Sequence, residues 1–104
     1  MANVEVRRDV EGKRMSEEEF MDLVERWAAK IGAQFTAIQF KPLKKAWGQC
    51  APEKGVITFS TDLLEQSEDW INAVIVHELL HLTFPNHGKL FNLAWQNYLK
   101  NGLD

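Results

Sequence analysis

Cysteine is nearly absent: Cys50 is the one thiol among 104 residues. A single cysteine rules out an intramolecular disulfide and suits a reducing compartment, so the expected location is cytoplasmic. Long apolar runs are missing as well. The N-terminus mixes Glu5, Arg7, Arg8 and Asp9 with no apolar stretch behind them, which excludes a secretory signal and a membrane span from the expectations. Neither charge sign dominates: the formal net charge is -3 and the pI near 5.6, leaving no global pull toward nucleic acid or an anionic membrane. Repeats and low-complexity segments are absent. Acidic residues thin out toward the C-terminus, where Asp104 alone follows His81.

What remains is enough for one core. A chain of this length with 45% hydrophobic residues is expected to form a single domain over residues 1–104. Four tryptophans and six phenylalanines should make that core aromatic. Charge is unevenly divided, at +1 over residues 1–55 and −4 over residues 56–104.

The chemistry is concentrated in His77-Glu78-Leu79-Leu80-His81, with His87 six positions further on. At 3.6 residues per turn, His77 and His81 stand one above the other on a helix, so both rings can reach one ion. The pattern H-E-x-x-H is the one in which two histidines hold Zn²⁺ and the glutamate serves as general base on a zinc-bound water in peptide hydrolysis. Chance can produce five such residues on a solvated helix face. Here, however, Trp70 through Val76 and then Leu79, Leu80 and Leu82 are apolar on nearly every side of the turn, which places the helix inside the protein. Ionisable side chains there are costly unless paired or ligated.

A catalytic zinc needs a third protein ligand and an open position. No glutamate follows His81, so His87 is the candidate by elimination, at the offset found in H-E-x-x-H-x-x-G-x-x-H enzymes. Phe84 takes the glycine position of that string. Because the residue before a proline avoids the helical region, the helix should end at Phe84, with Asn86 suited to the reversal. The competing role for His87 is a helix N-terminal residue that ligates nothing.

Elsewhere the chain reads as a small α+β domain: an N-terminal helix, a short antiparallel or mixed sheet, the active-site helix and a C-terminal helix. Ser16 and Glu19 form a capping box ahead of Phe20, Leu23, Val24, Trp27, Ala28 and Ile31, and Gly32 stops that helix. Strands are expected at 35–40 and 56–59. The second, if it lies at the sheet edge nearest the metal, could hold an extended peptide by strand addition. Asp62–Glu65 should form a helical turn, Ser67 should cap the motif helix, and Leu90, Phe91, Ala94, Trp95, Tyr98 and Leu99 should form the buried face of the last helix, closed by Gly102. Residues 1–14 are polar around Val4, Val6 and Val10 and suggest an arm or a short extended segment.

Two blocks carry a family resemblance. Lys44-Lys45-Ala46-Trp47-Gly48-Gln49-Cys50 with Gly55-Val56-Ile57-Thr58-Phe59-Ser60 and Leu63, and Val74-Ile75-Val76-His77-Glu78-Leu79-Leu80-His81-Leu82 with Asn86-His87-Gly88 and Phe91, together resemble the YgjP/SprT-like zinc metallopeptidases. The resemblance spans residues 41–95. It implies a zincin-like domain with Zn²⁺ held by His77, His81 and His87, Glu78 as base, and a peptide or protein substrate. The SprT branch adds an implied link to proteolysis of DNA-bound proteins. Ala46, Gln49 and Ser60 depart from the family's arginine, serine and asparagine, and the length approaches that of the minimal zincins called minigluzincins, some of them self-inhibited.

Other residues have competing explanations. Cys50 is either a fourth, latency-conferring zinc ligand or a small buried hydrophobe. Tyr98 is either an oxyanion partner or part of an amphipathic face. Trp47 is better explained as a core or loop anchor than as a substrate platform. Lys41, Lys44 and Lys45 suit an ordinary solvated loop better than a nucleic-acid contact. The rival from another class is a non-catalytic or latent zinc-binding interaction module of the same fold. A fourth protein ligand would favour it.

Overall fold

The computed structural model describes residues 14–84 and 86–103, so the expectation of an N-terminal arm lies almost wholly outside the described residues. Helices α1 (Glu17–Ile31), α2 (Glu68–Leu80) and α3 (Lys89–Asn101) accompany strands β1 (Ala37–Lys41), β2 (Gly48–Ala51) and β3 (Val56–Ser60). The architecture is α+β with a mixed three-stranded sheet in the order β1-β3-β2. β1 runs parallel to β3, and β2 antiparallel to it.

Local signals hold where they are strongest. α1 opens on the reciprocal capping box, Glu19 N–H donating to Ser16 Oγ at 3.0 Å and Ser16 N–H to Glu19 Oε1 at 2.9 Å, which satisfies two of the helix's unpartnered donors. It ends at Gly32. Ser67 caps α2 through Trp70 N–H. Ser60 caps a 3₁₀ turn over Thr61–Glu65, which accounts for a serine buried to 1% exposure.

Three expectations are corrected. The chain has a third strand, β2, whose Gly-Gln-Cys-Ala sequence carries no β-branched or aromatic residue; it is a strand because its backbone pairs with β3, Gly48 opposite Phe59 and Cys50 opposite Ile57. Consequently β3 is the central strand, and the edge beside α2 belongs to β2. Finally, α2 ends at Leu80, four residues before Phe84. His81, Leu82 and Thr83 continue with N–H bonds reaching back three residues, to Glu78, Leu79 and Leu80, a tightening common at helix ends.

The core joins Phe20, Val24 and Trp27 of α1, Ile57 and Phe59 of β3, Leu63 and Leu64 of the 3₁₀ turn, Ile71, Ile75 and Leu79 of α2, and Phe91 of α3. Phe20 meets Phe40 and Phe59 edge to face, at 5.1 and 4.8 Å between centroids, an arrangement that adds to the gain from burial. α2 is buried from Ile71 onward except at the half-buried Asn72 and His77, and is gripped by two indoles: Trp27 Nε1–H donates to Asn72 Oδ1 at 2.8 Å and Trp95 Nε1–H to the Ala73 carbonyl at 3.0 Å. The aromatic core is smaller than the composition suggests, since Trp47 and Trp70 stay 37% and 41% exposed. On α3, Leu90 and Leu93 face solvent rather than the core, while Phe91 is buried in it and Ala94, Trp95, Tyr98 and Leu99 pack against it.

Between β2 and β3 the chain turns through Gly55 at φ 68, and a Cβ there would sit 2.7 Å from Thr36 Oγ1. Gly55→Ala should therefore lower stability by about 1–3 kcal/mol, from the left-handed backbone and the clash together. Urea unfolding will show it as a lower midpoint at unchanged slope.

Candidate metal centre

The motif turn is built by enclosure. α2 is apolar through Ile71 and Val74–Val76, then delivers His77, Glu78 and, at its C-cap, His81. His87 lies just ahead of α3, with its ring back beside that of His81. One donor atom from each of His77, His81 and His87 lies within 4.8 Å of the others. His81 and His87 meet Nε2 to Nε2 at 2.9 Å.

A residue without donor atoms organises these rings. Phe91, 1% exposed, lies 5.2, 4.9 and 4.8 Å, centroid to centroid, from the imidazoles of His77, His81 and His87. It forms a shared apolar floor one helical turn beyond His87. Trp95, a turn further on, stacks edge-on against His77 at 4.8 Å.

Glu78 is 5% exposed, and its Oε2 lies 3.3 Å from His77 Nδ1. With Nδ1–H donated to that carboxylate, the lone pair of the ring stays on Nε2. β2 passes directly over the carboxylate. A Cβ built on Gly48 would stand 2.9 Å from Glu78 Cγ and 3.2 Å from Cδ and Oε2, so the approach requires glycine. Burial, the largest cause, lowers the His81 pKa below its usual 6.5, against a smaller upward pull from Glu78.

That donor set fits a zinc ion. Catalytic zinc sites take three protein donors and leave a fourth position open, and among the described residues this group contains three histidines and no fourth donor. Nitrogens bound tetrahedrally at about 2.0–2.1 Å stand roughly 3.3–3.4 Å apart. The 2.9 Å pair and the 4.8 Å outer limit bracket that separation.

The sequence matches the family described as YgjP-like, metallopeptidase domain, over residues 5–101. The chain belongs to the YgjP-like metallopeptidase family. This YgjP-like chain is also similar to the crystal structure of the metallopeptidase zymogen of Pyrococcus abyssi abylysin, with 25% identity and a TM-score of 0.67 over 74% of this chain and 76% of that one. The fold is shared with the metallopeptidase zymogen of Methanocaldococcus jannaschii jannalysin, at 23% identity and a TM-score of 0.68 over 76% and 80% of the two chains. No curated individual protein matches the sequence.

Two other expected participants stand apart from the imidazoles. Cys50 lies on β2, half-buried and outside the donor group. Tyr98 packs edge-on against Trp27 of α1, at 6.5 Å between centroids, two turns along α3 from Phe91. Lys41 ends β1, and Lys44 and Lys45 lie exposed on the loop to β2. Of the two anchoring roles expected for Trp47 the loop one fits: the ring stays outside the core and meets Trp70 of α2 edge-on at 6.4 Å. No described helix is long and apolar enough to cross a membrane. The sequence places Phe91 on the buried face of the last helix and Gly48 within the family block, but gives neither a part in the site.

The Cys50 thiol is pushed up to about 11, by burial first and by Glu78 second. Its reaction with a disulfide reagent should therefore be slow at pH 7.5 and accelerate through pH 9–11. Glu78→Gln, which removes the second cause and leaves the first, should move that profile down only part of the way to the ordinary value.

Proposed function

We propose that this chain is a zinc-dependent endopeptidase in which His77, His81 and His87 hold the ion and Glu78 is the general base. The observation that carries the proposal is a trio of converging imidazoles beside a buried carboxylate. Zn²⁺ held there supplies Lewis acidity to a water and to the scissile carbonyl. Glu78 accepts the proton of the attacking water and returns it to the departing amide nitrogen. Its near-complete exclusion from solvent and the contact with His77 Nδ1 keep that carboxylate in one place, and Phe91 keeps the rings from turning away.

An extended substrate has a template in β2. That strand borders the sheet on the α2 side, and among the described residues it pairs with β3 alone. Backbone groups on its other edge can take a peptide as a further strand. Tyr98, turned to Trp27, has no part in this proposal. Three donors rather than four favour the enzyme over a non-catalytic zinc module. A second reading, latency, draws on the abylysin structure, which is that of a zymogen; activity of the zinc-loaded chain before and after limited proteolysis separates the two.

Zinc-loaded protein should cleave unfolded casein, lose that activity to a chelator and regain it with Zn²⁺. Glu78→Gln should bind zinc with unchanged stoichiometry and lose about 10²-fold or more in kcat/KM. Full activity in that variant would end the proposal. Gly48→Ala, which crowds the carboxylate, should retain zinc and lose about tenfold or more.

A further inference from the structure

Beside the imidazoles is a cavity of about 260 Å³ whose walls include Trp47, Trp70, Val74 and Trp95, with His77 and Glu78 at its polar end. We infer that this cavity is a specificity pocket for one large apolar side chain of the substrate, aromatic above aliphatic, next to the scissile bond. The inference rests on the peptidase assignment proposed above and names the substrate class that the site selects.

Four observations point to that occupant. The space is smaller than the roughly 300–1,000 Å³ that ordinary small-molecule sites occupy, so it suits a single side chain. Position ties it to the reaction, because the groups at one end are a candidate ligand and the candidate base. Chemistry disfavours charge: among the described residues, His77 and Glu78 are the ionisable ones on its lining, and a charged side chain entering among indoles would lose its water without a dedicated partner. The walls are aromatic and already satisfied or mutually braced. Trp95 spends its N–H on the Ala73 carbonyl, and Trp47 and Trp70 hold each other edge to face, leaving ring surfaces that favour offset or edge-on contact with another ring.

Ala46 completes the mouth of the pocket. It is exposed, so a longer side chain at this position can close the entrance without disturbing the core. This supplies a test in which the fold is not at risk.

The experiment uses peptides of the form acetyl-Ala-Ala-X-Ala-Ala-amide with X as Phe, Leu, Ala, Glu or Lys. Binding to Glu78→Gln protein is followed by intrinsic tryptophan fluorescence, and cleavage by zinc-loaded wild type is followed by mass spectrometry, which locates the cut relative to X. The expected order is Phe above Leu above Ala, Glu and Lys, with Phe at least about tenfold over Ala in both affinity and kcat/KM. Ala46→Arg and Trp70→Ala, each introduced separately, should shrink that ratio to within about threefold of unity. Equal treatment of all five peptides, a preference for Glu or Lys, or a Phe preference that survives both substitutions overturns the pocket assignment. Should the Glu78→Gln protein discriminate as expected while the zinc-loaded wild type cleaves nothing, the pocket stands and the peptidase assignment falls.

Discussion

The organising constraint is that α2, beyond its exposed first turn, carries apolar residues on nearly every face and must be largely enclosed. Enclosure by α1, the sheet and α3 is what carries Glu78 into the interior, because it shares a turn with Leu79 and Leu80 and cannot stay in water when they leave it. A buried carboxylate is costly without partners. The structure sets it between the His77 ring and a glycine of the adjoining strand. Geometry that looks specialised for chemistry is thus the consequence of packing an apolar helix at the centre of a small domain.

The three imidazoles follow a related logic. Only His77 belongs to the regular helix; His81 sits at its cap and His87 beyond the turn. A shared aromatic floor replaces the rigidity that a continuous helix would have given them. In so small a chain one phenylalanine both fills the core and fixes the site, so stability and site geometry cannot be tuned independently at Phe91.

Features written in local chemistry were legible in the sequence. The capping box at Ser16, the cap at Ser67, the stop at Gly32 and the stacking of His77 with His81 need no knowledge of the rest of the chain. The third histidine needed elimination. What could not be read depends on partners distant along the chain: β2 is a strand only because β3 lies beside it, β3 is central only because β1 and β2 flank it, and Trp47 reaches Trp70 across a loop and a strand pair. The early end of α2 was missed for another reason, since proline at position 85 forbids the helix beyond Phe84 but does not oblige it to continue that far.

The two indole hydrogen bonds to Asn72 and Ala73 have a wider meaning. Smooth hydrocarbon contacts resist separation well but resist sliding and axial rotation poorly, and α2 is dressed almost entirely in them. The carbonyl that Trp95 engages is also the one whose helical partner is the His77 amide. Tryptophans from the helices before and after it therefore act as an index pin and its counter-pin: they set the angular phase of the helix, and with it the bearing of every side chain one turn downstream.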